Sequence, residues 1–322
     1  MNKKVLFIIG VCFLIFLTLI GIWNTLDRKS KDRGLQLQNE IITEKKESIL
    51  DNSKIKPGEI VELPEVDKKT SSTEVLILKT GAKDRMYILE KPVDKTNVKN
   101  IIVALHESGS SGEKLQKILR LSDLVSDNNT IIAYPDSIGE RWNDIRVSNE
   151  EVDDIGFINE LVQSLQSQYG VGKDNTTLIG VSSGGFMVQT IACENDGLVR
   201  NMLSIVASLL TNQAEQCKFL PTNSIYILGK KDIFVPYEGG NLTTPVSGIV
   251  LSGQNTLTNV AQINKCGEKS EEKESTNILV QKITDCPNRG LVSLITYVNE
   301  SHISLPIKAD FVSIIRENGL IK

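Results

Sequence analysis

The stretch best suited to chemistry is Gly180-Val181-Ser182-Ser183-Gly184, a hydroxyl between glycines. It follows the apolar run "TTLIGV" and precedes the helix-like "GFMVQTIACE", so it stands where a strand hands over to a helix. In that setting G-x-S-x-G reads as a nucleophile elbow. The serine takes a sparsely allowed backbone conformation, and strand and helix approach so closely that side chains at the flanking positions would collide. The Oγ is thereby exposed, and the amide of Ser183 lies at the positive end of a helix, where it would bind an oxyanion.

A serine hydroxyl needs a base, and the chain holds 2 histidines, His106 and His302. On such an elbow the partners follow in the chain order serine, acid, histidine. Only His302 lies beyond Ser182, in "YVNESHISLP", a few residues past an expected strand. For the acid, Asp232 stands just after the apolar "SIYILG" and is preferred to Glu238, Asp285 and Asp196. It would hold the imidazole tautomer while His302 takes the Ser182 proton and returns it to the leaving group. His106 ends "IIVALH" and reads as structural; two residues on, Ser108 offers its backbone N–H as a second oxyanion donor beside Ser183. With two histidines so far apart, no metal-ligand cluster is formed, and neither a metal nor an organic cofactor is implied.

The elements that must position these residues begin near Thr73. "EVLILKT" and "RMYILE" read as a hairpin or paired edge strands, and "NIIVALHES" and "TIIAYPDS" as buried parallel strands. Ser148 with Glu151 offers a capping box, after which Val152, Ile155, Ile158, Leu161, Val162 and Leu165 recur at helical spacing until Gly170. "TTLIGV", "MLSIVA", "SIYILGK" and "LVSLITYV" supply further strands. Alternation of this kind predicts an α/β fold with a mostly parallel central sheet covered by helices on both faces.

Ahead of that domain, Lys3 and Lys4 precede an uncharged run from Val5 to Trp23, long enough at 1.5 Å per residue to cross roughly 30 Å of hydrocarbon. Residues 1–26 are read as a membrane anchor rather than a signal peptide, for no small-residue cleavage site is apparent. Residues 27–72, rich in lysine and glutamate, are read as a flexible tether, and 73–322 as the folded domain. A formal net charge of -4 gives no basic field for nucleic acid. Cys12 lies in the apolar run, leaving Cys193, Cys217, Cys266 and Cys286, an even set compatible with two disulfides outside the cytoplasm.

Taken together, "LHESGSSG", "YPDSIGERWN", "VDDIGFINELVQSL", "IGVSSGGFM", "LGKKDIFVPYEGG" and "ESHISLP" resemble the polyhydroxybutyrate depolymerase and feruloyl/acetylxylan esterase group of α/β-hydrolases, from about Thr73 to the C-terminus. The resemblance implies an α/β-hydrolase fold, a Ser182–His302–Asp232 triad, an oxyanion donor at Ser108, Trp142 near the substrate cleft, and disulfides Cys193–Cys217 and Cys266–Cys286. It implies an extracytoplasmic serine esterase acting on polyhydroxyalkanoate, feruloyl or acetyl-polysaccharide esters through an acyl-enzyme. Two features depart from it. Glu107 stands where the group usually has glycine; a carboxylate about 6 Å from a developing oxyanion would repel it by roughly 3 kcal/mol at an effective dielectric of about 20, slowing acyl transfer by about two powers of ten. The charged segment "NVAQINKCGEKSEEKEST" lacks the tryptophan often found before the cysteine. A silent, membrane-anchored binding protein on the same fold is the alternative that Glu107 supports.

Overall fold

The computed structural model describes residues 60–62, 71–80, 83–93, 97–147, 151–218 and 220–322. The expected anchor at 1–26 and most of the expected tether lie outside these residues. Among the described residues no helix is long and apolar enough to cross a membrane.

In chain order the elements are β1 (Ile60–Glu62), β2 (Ser71–Thr80), β3 (Lys83–Pro92), β4 (Asn100–Leu105), α1 (Gly112–Leu119), α2 (Ser122–Asn128), β5 (Thr130–Pro135), α3 (Asp154–Tyr169), β6 (Thr176–Val181), α4 (Ser183–Glu194), β7 (Asn201–Ile205), α5 (Thr211–Gln216), β8 (Asn223–Gly229), β9 (Gly240–Asn241), β10 (Ile249–Val250), α6 (Gly253–Ile263), β11 (Ser270–Glu274), β12 (Ile278–Cys286), β13 (Gly290–Tyr297), α7 (Ser304–Lys308) and α8 (Phe311–Glu317). Eleven strands form one sheet in the order β1-β2-β3-β5-β4-β6-β7-β8-β13-β12-β11. From β5 to β13 every neighbouring pair is parallel. At one end β1, β2 and β3 add antiparallel, and at the other β12 and β11 do.

The parallel strands β4, β5 and β6 are buried at every position because both faces are covered. Alternate residues of β4 show it: Ile101, Val103 and Leu105 enter one core with Phe157, Leu161 and Leu165 of α3, Ile191 of α4 and Val260 of α6. Ile102 and Ala104 enter the other, with Leu115 of α1, Leu124 of α2 and Ile315 of α8. The α/β layering predicted from the alternating pattern is therefore present.

Three local features depart from or add to the sequence reading. The long helix starts later than the capping box at Ser148 implied: its cap is Asp153, whose carboxylate accepts from the Gly156 N–H, and Ser148 lies outside the described residues. The start of α3 is fixed instead by Asp154, which is fully buried, pairs with the Arg85 guanidinium at 2.5 Å, and accepts from the Asn143 amide at 2.7 Å. Arg85 also stacks on the Phe157 ring at 4.0 Å, so the ion pair is sandwiched between β3 and α3. Secondly, Ile60–Glu62, inside the expected tether, pair with Leu76–Leu78 of β2 as an edge strand. Thirdly, the charged segment after α6 forms β11, which carries no apolar alternation because all five of its residues are exposed.

Candidate active site

The elbow is built by two close approaches. A Cβ on Gly180 would lie 2.1 Å from the Gly184 carbonyl oxygen, and one on Gly184 would lie 2.1 Å from the Leu105 carbonyl oxygen and 2.7 Å from that of His106. The end of β6, the start of α4 and the end of β4 therefore meet through bare backbone. Between them Ser182 takes φ 53° and ψ -113°, a strained conformation for a residue with a side chain. It is held there by its N–H, which donates to Ile205 of β7 at 2.9 Å, and by its carbonyl, which accepts from Phe186 at 3.0 Å.

Asp232 and His302 come from the ends of the adjacent strands β8 and β13, and main-chain bonds lock their loops together. Lys230 donates to the Tyr297 carbonyl and Lys231 to the Glu300 carbonyl, each at 3.0 Å. Gly229 permits this, since a Cβ there would sit 2.4 Å from the Glu300 oxygen. Oδ1 of Asp232 accepts from the amides of Phe234 and Val235, both at 2.8 Å, which leaves Oδ2 to accept from His302 Nδ1 at 2.6 Å. Because that carboxylate only accepts, the imidazole proton resides on Nδ1 and Nε2 is free to accept. Nε2 lies 2.8 Å from Ser182 Oγ. The structure thus brings the three residues into one hydrogen-bonded line. Phe234 sets its ring edge-on to the imidazole at 5.4 Å, and Ser304 accepts through Oγ from the Ser301 N–H, closing the turn around His302.

Of the rejected acids, Glu238 is exposed, Asp196 lies in the turn after α4 at the opposite edge of the sheet, and Asp285 packs against Gly267 on β12. Ser183 is the first residue of α4, so its N–H has no intrahelical acceptor. Packing of Gly184 on Leu105 and His106 sets the segment leading to Ser108 beside that helix start, and Ser108 itself is exposed. Beside it, Oε2 of Glu107 is buried without a hydrogen-bond partner. Both expected disulfides, Cys193–Cys217 and Cys266–Cys286, are formed; the first ties the end of α4 to the segment after α5. Among the described residues no cluster of three or more metal-ligating side chains occurs.

His106 is 1% exposed, and its Nε2 accepts from the Ser137 amide at 3.1 Å, so Nδ1 carries the proton and donates to the Glu107 carbonyl at 2.7 Å. Trp142, expected near the substrate cleft, has no exposed surface: its indole N–H donates to the His106 carbonyl at 2.9 Å and its ring packs on the imidazole at 5.0 Å. It packs behind the His106–Ser108 segment and is wholly enclosed rather than open to a cleft. Burial depresses the His106 pKa below the ordinary histidine value. The unfolded chain takes up a proton below about pH 6.5 that the folded chain resists, so this stability is present above that pH and is lost as pH falls, by up to about 1.4 kcal/mol per unit. His106→Gln keeps an acceptor for Ser137 and is expected to remove that part of the slope in urea unfolding measured at stepped pH.

Two supports were not anticipated from the sequence. Arg146 makes a bidentate pair with the buried Asp144, at 2.9 and 2.6 Å, and lies over the Phe186 ring at 3.8 Å. Phe186 in turn packs with Val235 and Val250, joining the nucleophile helix to the loop that carries the acid. A D-x-R spacing in a loop gives no periodic signal, and only the fold reveals its target.

The layered sheet agrees with solved structures. The acetyl xylan esterase from Aspergillus awamori superposes with a TM-score of 0.55 at 15% identity, covering 81% of this chain and 99% of that one. The chain shares the layered α/β fold of that esterase. The S-formylglutathione hydrolase from Agrobacterium tumefaciens gives a TM-score of 0.53 at 10% identity, over 80% and 96% of the two chains. A cold-adapted esterase from an Arctic intertidal metagenomic library gives 0.51 at 13%, over 79% and 97%. In sequence, the chain is similar to a protein named "Putative esterase NocK" from Nocardia uniformis subsp. tsuyamanensis, 23% identical over 182 residues, which are 55% of this chain and 52% of that protein. The chain thus spans about half the length of the curated relative it matches. No family model matches.

Proposed function

We propose that the chain is a serine hydrolase of carboxylic esters, in which Ser182 attacks the carbonyl, His302 is general base and then general acid, and Asp232 orients the imidazole. The observation that carries this reading is the unbroken line from Asp232 Oδ2 through His302 to Ser182 Oγ, at 2.6 and 2.8 Å, on a strained elbow. Loss of the Oγ proton to Nε2 generates the attacking alkoxide. The tetrahedral oxyanion is held by the amides of Ser183 and Ser108, collapse gives an acyl-enzyme, and water activated by His302 releases the acid.

The depolymerase and feruloyl/acetylxylan esterase resemblance, with an acetyl xylan esterase among the structural neighbours, supports polyhydroxyalkanoate, feruloyl or acetyl-polysaccharide esters as substrates. The apolar run at Val5–Trp23 and the two disulfides support a domain tethered to a membrane and working outside the cytoplasm. Buried, unpartnered Glu107 Oε2 favours a second reading, a silent binder, because an anion there opposes oxyanion formation. A fluorophosphonate probe separates the two. Stoichiometric labelling at Ser182, lost in Ser182→Ala, is expected; a folded protein that takes no label would establish the binder.

A further inference from the structure

Seven large hydrophobic side chains are exposed among the described residues, and five of them, Ile138, Ile145, Ile233, Ile249 and Ile303, stand next in sequence to residues of the site or of its supports. Each stands beside a residue already placed there. Ile233 follows Asp232 and is 72% exposed; Ile303 follows His302 and is 68% exposed. The 2.6 Å bond between their neighbours brings these two to one spot on the rim. Ile138 follows Ser137, whose amide bonds His106; Ile145 lies between Asp144 and Arg146; Ile249 precedes Val250, which packs with Phe186. Apolar side chains grouped around a site, where single ones scattered over the surface would be ordinary, mark an interaction surface.

The rim's chemistry narrows the partner. All five side chains are branched aliphatics without a hydrogen-bonding atom, suited to acyl chains rather than to the hydroxyls of a sugar ring. The sequence supplies the location. An uncharged run at Val5–Trp23, long enough to cross the hydrocarbon of a bilayer, precedes the domain in the same chain. On the membrane-tether reading, a lipid surface is the apolar surface that covalent linkage offers the domain at high effective concentration.

We infer that the isoleucine rim docks on the lipid surface of the membrane that holds the N-terminal segment, so that the site takes ester groups presented at that surface. This rests on the membrane-tether reading above, and docking itself needs no catalysis. The test uses the full chain as Ser182→Ala, reconstituted in phosphatidylcholine vesicles, with p-benzoylphenylalanine replacing Ile303, Ile233 or, as control, the exposed Lys173 at the opposite edge of the sheet. Irradiation is expected to give several-fold more lipid adduct at 303 and 233 than at 173. Equal yields at all three positions, in a chain that floats with the vesicles, would overturn the docking. A chain that does not float would overturn the tether and the inference with it, and preferential capture by poly(3-hydroxybutyrate) particles would assign the rim to a polymer. Because the variant transfers no acyl group, a wild-type chain that takes no fluorophosphonate would sink the esterase reading and leave the adduct pattern to stand.

Discussion

Ser182→Ala is expected to lower kcat/KM for short-chain nitrophenyl esters by roughly 10⁴- to 10⁶-fold while changing the unfolding free energy by less than about 1 kcal/mol. The activity loss is large because Ser182 Oγ is the hydroxyl placed 2.8 Å from His302 Nε2. The stability change is small because the strained φ of 53° is imposed by the meeting of β6, α4 and β4, which alanine leaves intact. Asp232→Asn should approach the same loss, about 10⁴-fold, by a different route. Its amide oxygen would keep the bonds from Phe234 and Val235, which turns the NH₂ toward His302 Nδ1 and forces the imidazole proton onto Nε2, where it blocks proton acceptance from serine. Steady-state kinetics checks both variants. Undiminished turnover by Ser182→Ala would move the nucleophile elsewhere.

Gly184→Ala is expected to destabilise the fold by more than about 3 kcal/mol or to prevent folding. The added methyl would meet the carbonyl oxygens of Leu105 and His106 at 2.1 and 2.7 Å; Leu105 ends β4, which lies in the sheet between β5 and β6, and His106 follows it directly. Neither neighbour is the tip of a flexible side chain, so relief requires α4 to withdraw and take the Ser183 amide with it. Gly172→Ala is the matched control: nothing lies within 4 Å of its Cβ, and a change within about 0.5 kcal/mol is expected. Chemical denaturation of the pair measures the difference, and a Gly184→Ala protein as stable as wild type would remove the steric basis given for the elbow.

These two variants also show what was legible in the sequence. Glycines flanking Ser182 after a continuous apolar run encode the elbow locally, and chain order with only two histidines narrows the base to His302. The sheet's parallel centre follows from the same runs. Other features have no local signature. Trp142 is placed near the cleft by the resemblance alone, and an aromatic in a loop gives no sign of what covers it; the structure covers it completely. The start of α3 was misplaced because Arg85, its partner in the Asp154 ion pair, is 69 residues away. Strand β11 was missed because charges fill it, so the period-2 signal of a half-buried strand is absent.

The composition of β11 has a further consequence. Ser-Glu-Glu-Lys-Glu closes one end of an eleven-stranded sheet and turns a row of open backbone donors and acceptors toward solvent. A flat, greasy border there would template pairing between molecules, whereas closely spaced ionic side chains make such stacking electrostatically and sterically unfavourable. Replacing them with valine and threonine would raise strand propensity and invite fibrous self-association, so the charge that hid this strand from prediction is also what keeps it from recruiting a twelfth.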